Sequence, residues 1–137
     1  MMKINNDIKE DVCSYKIAKI LKDLGFDCEV YAYYDETSKL HYKHGRFNSQ
    51  EKTASAPTFS HISLWLNENF SLFVWVFSME NDDGSAVWGS HSGKWITKDG
   101  NKNFDLDYID YGNFETSVDA SEKTYETVLN KLKNQKL

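Results

Sequence analysis

Apolar positions along this chain change period several times, and each change marks an element. Between residues 7 and 24, Cys13, Ile17, Ile20, Leu21 and Leu24 recur at helical spacing, opposite Lys9, Asp11, Lys16, Lys19, Lys22 and Asp23. That stripe predicts a helix laid on a core, capped by Asn6 or Asp7 and stopped at Gly25. The period then falls to two. Cys28, Val30 and Ala32 share one side of a predicted strand, and Tyr31 and Tyr33 the other. A turn at 35–38 and a short returning strand at 39–42 follow, and the polar stretch 43–56 reads as a long mobile loop.

A second helix opens at Ser55 or Thr58, with Pro57 in its first turn, and buries Phe59, Ile62, Trp65 and Leu66. The run 72–77 is apolar at every position and reads as a central strand, with Leu72, Val74 and Val76 on one face and Phe73, Trp75 and Phe77 on the other. Asn81-Asp82-Asp83-Gly84 is a turn. Residues 86–90 and 94–98 read as strand segments interrupted by Gly89 and Gly93, and Asp99-Gly100-Asn101 closes a hairpin. Residues 104–111 alternate Phe104, Leu106 and Tyr108 against Asp105, Asp107 and Ile109, giving a strand with one wet face. The last helix spans about 119–134, with Val118, Tyr125, Val128, Leu129 and Leu132 as its packing residues and lysines toward its C-terminus. The order α-β-β-α-β-β-β-β-α predicts a single α+β domain over 7–137 after a flexible tail at 1–6. Its sheet is mostly antiparallel, with about three helices packed mainly on one face.

Composition narrows the function classes. A net charge of −5 with scattered cations supplies no basic stripe for a phosphate backbone, so direct nucleic-acid binding is disfavoured. Aromatic residues make up 15% of the chain, enough for their burial to dominate folding or an interface. No apolar run is long enough to span a bilayer, and Cys13 and Cys28 read as reduced core thiols, so a cytoplasmic protein without a membrane segment is expected.

Candidate chemistry is sparse. Asp99, Asn101, Asn103 and Asp105 resemble the start of a calcium loop, but its sixth and twelfth positions hold Phe104 and Asp110 rather than Gly and Glu. His41 and His44 lie three apart on a predicted strand end, a spacing that puts them on opposite faces, so no metal pair is expected. His91 lies between Ser90 and Ser92, whose side chains point away from it in a strand, and no nucleophile elbow or phosphate loop is present. The chain therefore reads as a non-enzyme that needs no cofactor.

Three stretches together resemble a known family. Val12-Cys13-Ser14-Tyr15 leading into Leu21-Lys22-Asp23-Leu24-Gly25-Phe26-Asp27, the helix start Ser55-Ala56-Pro57-Thr58 with Leu64-Trp65-Leu66, and the terminal Ser117-Val118-Asp119-Ala120 helix carry the resemblance. They are similar to a widespread group of small uncharacterised proteins from phages, prophages and mobile elements of gut Bacteroidetes. This chain departs from that pattern in a longer hairpin around residues 88–95 and a weakly apolar last helix. The resemblance implies a mobile-element origin and no known activity.

Two functional expectations follow. Tyr31, Tyr33, Phe73, Trp75 and Phe77 are expected to share the side of the sheet away from the helices, forming an aromatic surface for self-association as a homodimer or for a protein partner. The alternative is a pocket for a small ligand or nucleotide between the sheet and the 43–56 loop, lined by Tyr33, Tyr42, Arg46 and Trp88.

Overall fold

The computed structural model describes residues 12–135, the side chains of Tyr111 and Asn113 excepted. The elements are α1 (Tyr15–Asp23), β1 (Val30–Tyr34), β2 (Leu40–Gly45), β3 (Ala54–Ser55), α2 (Phe59–Phe70), β4 (Phe73–Glu80), β5 (Ala86–Lys98), β6 (Asn101–Phe114) and α3 (Ser117–Gln135). The fold is α+β with antiparallel strand pairing, as the sequence pattern predicts. Its strands divide into two sheets of order β2-β1-β3 and β4-β5-β6.

The predicted face of α1 is buried throughout: Cys13, Ile17, Ile20, Leu21 and Leu24 all belong to the core. Its start differs from the prediction at residue 7. Val12 pairs antiparallel with Thr58 and the Cys13 amide donates to the Pro57 carbonyl, which holds residues 12 and 13 extended. Ser14 then caps the helix by accepting from the Ile17 amide. The expected tail at 1–6 and caps at Asn6 or Asp7 lie outside the described residues.

The stretch expected to be a mobile loop is tied down. The Lys22 ammonium donates to the carbonyls of Gln50, Glu51 and Thr53. Asn48 donates to the Phe26 carbonyl at 2.7 Å and accepts from the Ser55 amide at 2.8 Å, while Phe47 is buried. The stretch ends in β3, which pairs with β1 through Tyr33↔Ser55 and Tyr34↔Ala54.

Helix α3 runs beside α1 in the same direction. Glu122 accepts from the Ser14 amide at 2.8 Å, Glu126 pairs with Lys16 at 2.9 Å, and Lys133 with Asp23 at 2.9 Å. Ile17 and Leu21 of α1, Ile62 and Leu66 of α2, Leu129 of α3 and the loop residue Phe26 make up the most deeply buried part of the core. In the second sheet, β5 is one continuous strand of 13 residues through Gly89 and Gly93, and it occupies the centre. The run expected to be central, β4, is an edge strand.

Candidate functional site

Strand register decides which side chains share a face of the second sheet. Phe73, Trp75, Phe77 and Met79 stand opposite Gly93, His91, Gly89 and Val87. On the far side of β5, His91, Gly93, Trp95 and Thr97 stand opposite Ile109, Leu106, Phe104 and Lys102. Directly opposed residues of an antiparallel pair point the same way, so these positions form one face. Among the described residues it carries no carboxylate.

Helix α3 lies against the other face. There Val74, Ser90 and Ser92 are buried, the Thr124 and Ser90 hydroxyls are hydrogen-bonded to each other, and the Lys131 ammonium donates to the Asp107 carbonyl. A sheet covered on one side ordinarily turns its apolar residues inward and its polar residues outward. Here the helix side holds Ser90 and Ser92 together with Trp88 and Tyr108, while Phe73, Trp75, Phe77, Trp95 and Phe104 lie on the face away from it. Among the described residues no element packs across the rings: Trp75 is 41%, Trp95 56% and Leu106 50% exposed. Only α2 approaches, at the β4 edge. Its Ser60, Ser63, Leu64 and Asn67 line a groove of about 320 Å³ with Phe73 and Trp75.

The rings pack on one another and on the glycines. Phe73 and Trp75 stack with centroids 5.6 Å apart, and Phe104 meets Trp75 and Trp95 edge-on at 5.4 and 5.2 Å. His91 lies between Trp75 and Phe77, at 4.6 and 5.5 Å. Phe104 lies over Gly93 and Phe77 over Gly89: a methyl group on either glycine would stand 2.6 Å and 3.2 Å from those rings. Glycine in mid-strand thus admits a flat ring above the backbone.

Of the aromatic residues predicted to form one surface, Phe73, Trp75 and Phe77 lie together here, whereas Tyr31 and Tyr33 belong to the other sheet. Tyr31 is 75% exposed and stacks on His44; Tyr33 is half-buried between His41 and Phe47. The two histidines therefore share a face, contrary to the spacing argument. Val30↔Gly45 and Ala32↔Tyr42 frame a β-bulge that adds one residue to β2 and restores their common side. Each meets a carboxylate, His41 with Asp35 at 2.7 Å and His44 with Glu29 at 3.3 Å. The Thr37 hydroxyl, then His41 and the backbone amides of Lys39 and Thr37, hold the Asp35 carboxyl well below the usual carboxylate range.

Trp95, Phe104, Leu106 and Ile109 also belong to this face, and the aromatic surface predicted from the sequence omits them. The available signal was Val87, Gly89, His91, Gly93 and Trp95 at alternate positions, a strand face that reads as broken only if its glycines are taken as interruptions. The β6 residues carried no equivalent signal. A bulge in the β5–β6 ladder between the Ser92 and Gly93 pairs turns Leu106 and Ile109 to one side and Tyr108 to the other, against strict alternation.

Tyr33, Tyr42, Arg46 and Trp88 are not gathered around one cavity. Tyr42 pairs with Ala32 and Tyr33 with His41, so the two tyrosines point to opposite faces, and Phe47 stacks over Tyr33 at 4.2 Å. Arg46 is exposed beside them and Trp88 lies in the other sheet. A cleft of about 310 Å³ does lie by the loop, bordered by Tyr15, Lys19, Lys22, Asp35, Glu51 and Thr53, but Lys22 is engaged by its three carbonyls.

Other reactive groups offer little. Among the described residues, no three of His, Cys, Asp and Glu are grouped to hold a metal ion. Cys13 is fully buried, and burial, reinforced by Glu122, pushes its thiol far up. Ser90 and Ser92 are buried on the face opposite His91. No described helix is long and apolar enough to cross a membrane. Comparison with protein-family models, with curated proteins and with solved structures finds no match to this chain.

Proposed function

We propose that this is a non-catalytic interaction protein that associates with itself or with a protein partner through the aromatic face of β4, β5 and β6. One observation carries the reading: the face turned away from the helices is the more apolar one, with Trp75, Trp95 and Leu106 open to solvent. Contiguous exposed apolar surface of this kind marks contact sites in water-soluble proteins. The resemblance to phage and prophage proteins fits an accessory factor of a mobile element, acting in the cytoplasm. A ligand pocket beside the first sheet has weaker support, because Phe47 fills the space over Tyr33.

The test is to replace Trp75 or Phe73 by serine and follow solution mass, partner binding and circular dichroism together. The expected result is altered association in a folded monomer. Variants that simply unfold would assign the rings to the core and remove the basis of the reading.

A further inference from the structure

We propose that the occupant of the aromatic face is a second copy of the same chain, packed sheet against sheet with its strands antiparallel across a two-fold axis. This rests on reading the face as a contact surface, and area, chemistry and charge narrow the partner. At about 4.8 Å between strands and about 3.3 Å per residue, three strands over roughly ten residues project on the order of 480 Å². Two such faces together remove about 1,000 Å² from water, the size at which specific contacts begin.

The surface is also apolar and nearly uncharged. The ring planes of Phe73 and Trp75 lie 10° from parallel, and Phe104 rests on the backbone at Gly93. Apolar sheet faces pack on each other about 10 Å apart in β-sandwiches. A nucleic acid needs a basic surface, and a small ligand needs a concave site with convergent polar groups. Among the described side chains, Lys102 and His91 are the titratable ones that the register puts on this face.

Charge selects the orientation. At one end of the sheet the β4–β5 turn carries Glu80, Asp82 and Asp83, with no cation in residues 80–85. At the other end, Lys98 and Lys102 outnumber Asp99 around the β5–β6 turn. Parallel stacking would set acid against acid. Antiparallel stacking about a two-fold axis sets each acidic turn against a basic one, twice.

Sedimentation equilibrium of the full chain from about 5 µM to about 500 µM tests this, since a contact of minimal area dissociates on dilution. Wild type is expected to pass from monomer to dimer. Leu106→Lys, which puts an ammonium on the face without removing a ring, should weaken the dimer at least about tenfold with unchanged circular dichroism. Lys102→Glu should weaken it about threefold to tenfold, and Lys102→Glu with Asp82→Lys should restore it.

A dimer untouched by Leu106→Lys uses another surface and overturns the proposal, and absence of rescue overturns the antiparallel arrangement. A wild type that stays monomeric, with Trp75 and Trp95 quenched by acrylamide, overturns the second copy but leaves the face open to a different protein. Rings shielded from quencher in the monomer overturn the face itself.

Discussion

Gly93→Ala tests whether rings laid over glycines hold the second sheet. An ideal Cβ at Gly93 would stand 2.5 Å from the Asp105 carbonyl oxygen and 2.6 and 2.8 Å from Cε1 and Cζ of Phe104. Non-bonded carbons pack best at about 3.5–4.0 Å, so ring and backbone must both retreat. The Phe104 ring has somewhere to go, because the face is open. The Asp105 carbonyl does not, because Lys94↔Asp105 is a ladder pair next to the bulge between Ser92 and Gly93. Alanine gains about 0.5–1 kcal/mol over glycine in a strand. Overpacking costs about 1–3 kcal/mol, and lifting Phe104 from its neighbours loses about 0.5–1.5 kcal/mol more. The net expectation is a loss of about 2 kcal/mol, or roughly 6–10 °C in melting temperature for a chain of this size. Urea unfolding followed by tryptophan fluorescence measures it directly. Gly84→Ala is the control: nothing lies within 4 Å of its Cβ, and only its positive φ of 84° opposes the change. Gly93→Ala as stable as wild type would refute the claim that the rings are seated on the glycine.

Lys22→Met removes three hydrogen bonds to loop carbonyls and should cost about 1–2 kcal/mol after allowance for its partial exposure. Limited proteolysis should then cut at residues 50–53, and an unchanged digestion pattern would contradict the tie. Of the two thiols, buried Cys13 should stay silent to a thiol reagent until the protein unfolds, while half-buried Cys28 reacts in the native state; two thiols titrating together would speak against this. Asp35→Asn should lower stability near neutrality and converge with wild type in acid. The folded Asp35 carboxyl titrates below its unfolded value of about 3.9, so its contribution is full above about pH 5 and fades as pH falls through the folded value. Stability curves that stay parallel through the acid range would count against the Thr37 and His41 contacts.

What the sequence made legible was local. The stripes of α1 and α2 emerged because burial at helical spacing is written within a few turns, and the Asp99-Gly100 turn because both residues take positive φ. The rest depended on residues far apart in the chain. Helix α1 starts late because Val12 meets Thr58, and the 46–53 stretch is ordered because Lys22 reaches it from α1. Gly89 and Gly93 read as breaks because nothing near them in sequence announces Phe77 and Phe104. Strand 73–77 read as central because both its faces are apolar, the property of a buried strand and equally of an edge strand with an uncovered face. For the same reason alternation alone groups Tyr31 and Tyr33 with rings of a different sheet: it gives a side of a strand, never its neighbour.

The rings of the open face have two separable roles. Phe73↔Gly93 is the first pair of the β4–β5 ladder, whereas β5 and β6 continue together to Lys98↔Asn101. Residues 94–98 and 101–105 therefore form a two-stranded ribbon, which is marginal by itself in water. The turn is well formed, with φ of 53° at Asp99 and 79° at Gly100, but a favourable turn fixes register rather than stability. Phe104 is the link: it touches Trp95 on the ribbon, and Phe73 and Trp75 on the three-stranded part, while resting on Gly93 between them. Phe104→Ala should therefore speed hydrogen exchange of the amides in 95–103 even in dilute, monomeric protein, leaving α1 and α3 protected. Leu106, half exposed and absent from that chain of rings, should change association and leave the same amides as slow as in wild type. If both substitutions loosen the ribbon equally, the face is one structural unit and its exposure to a partner is incidental. If they separate, the chain has kept an apolar surface beyond what its own hairpin requires, which is the physical signature of a contact made with another molecule.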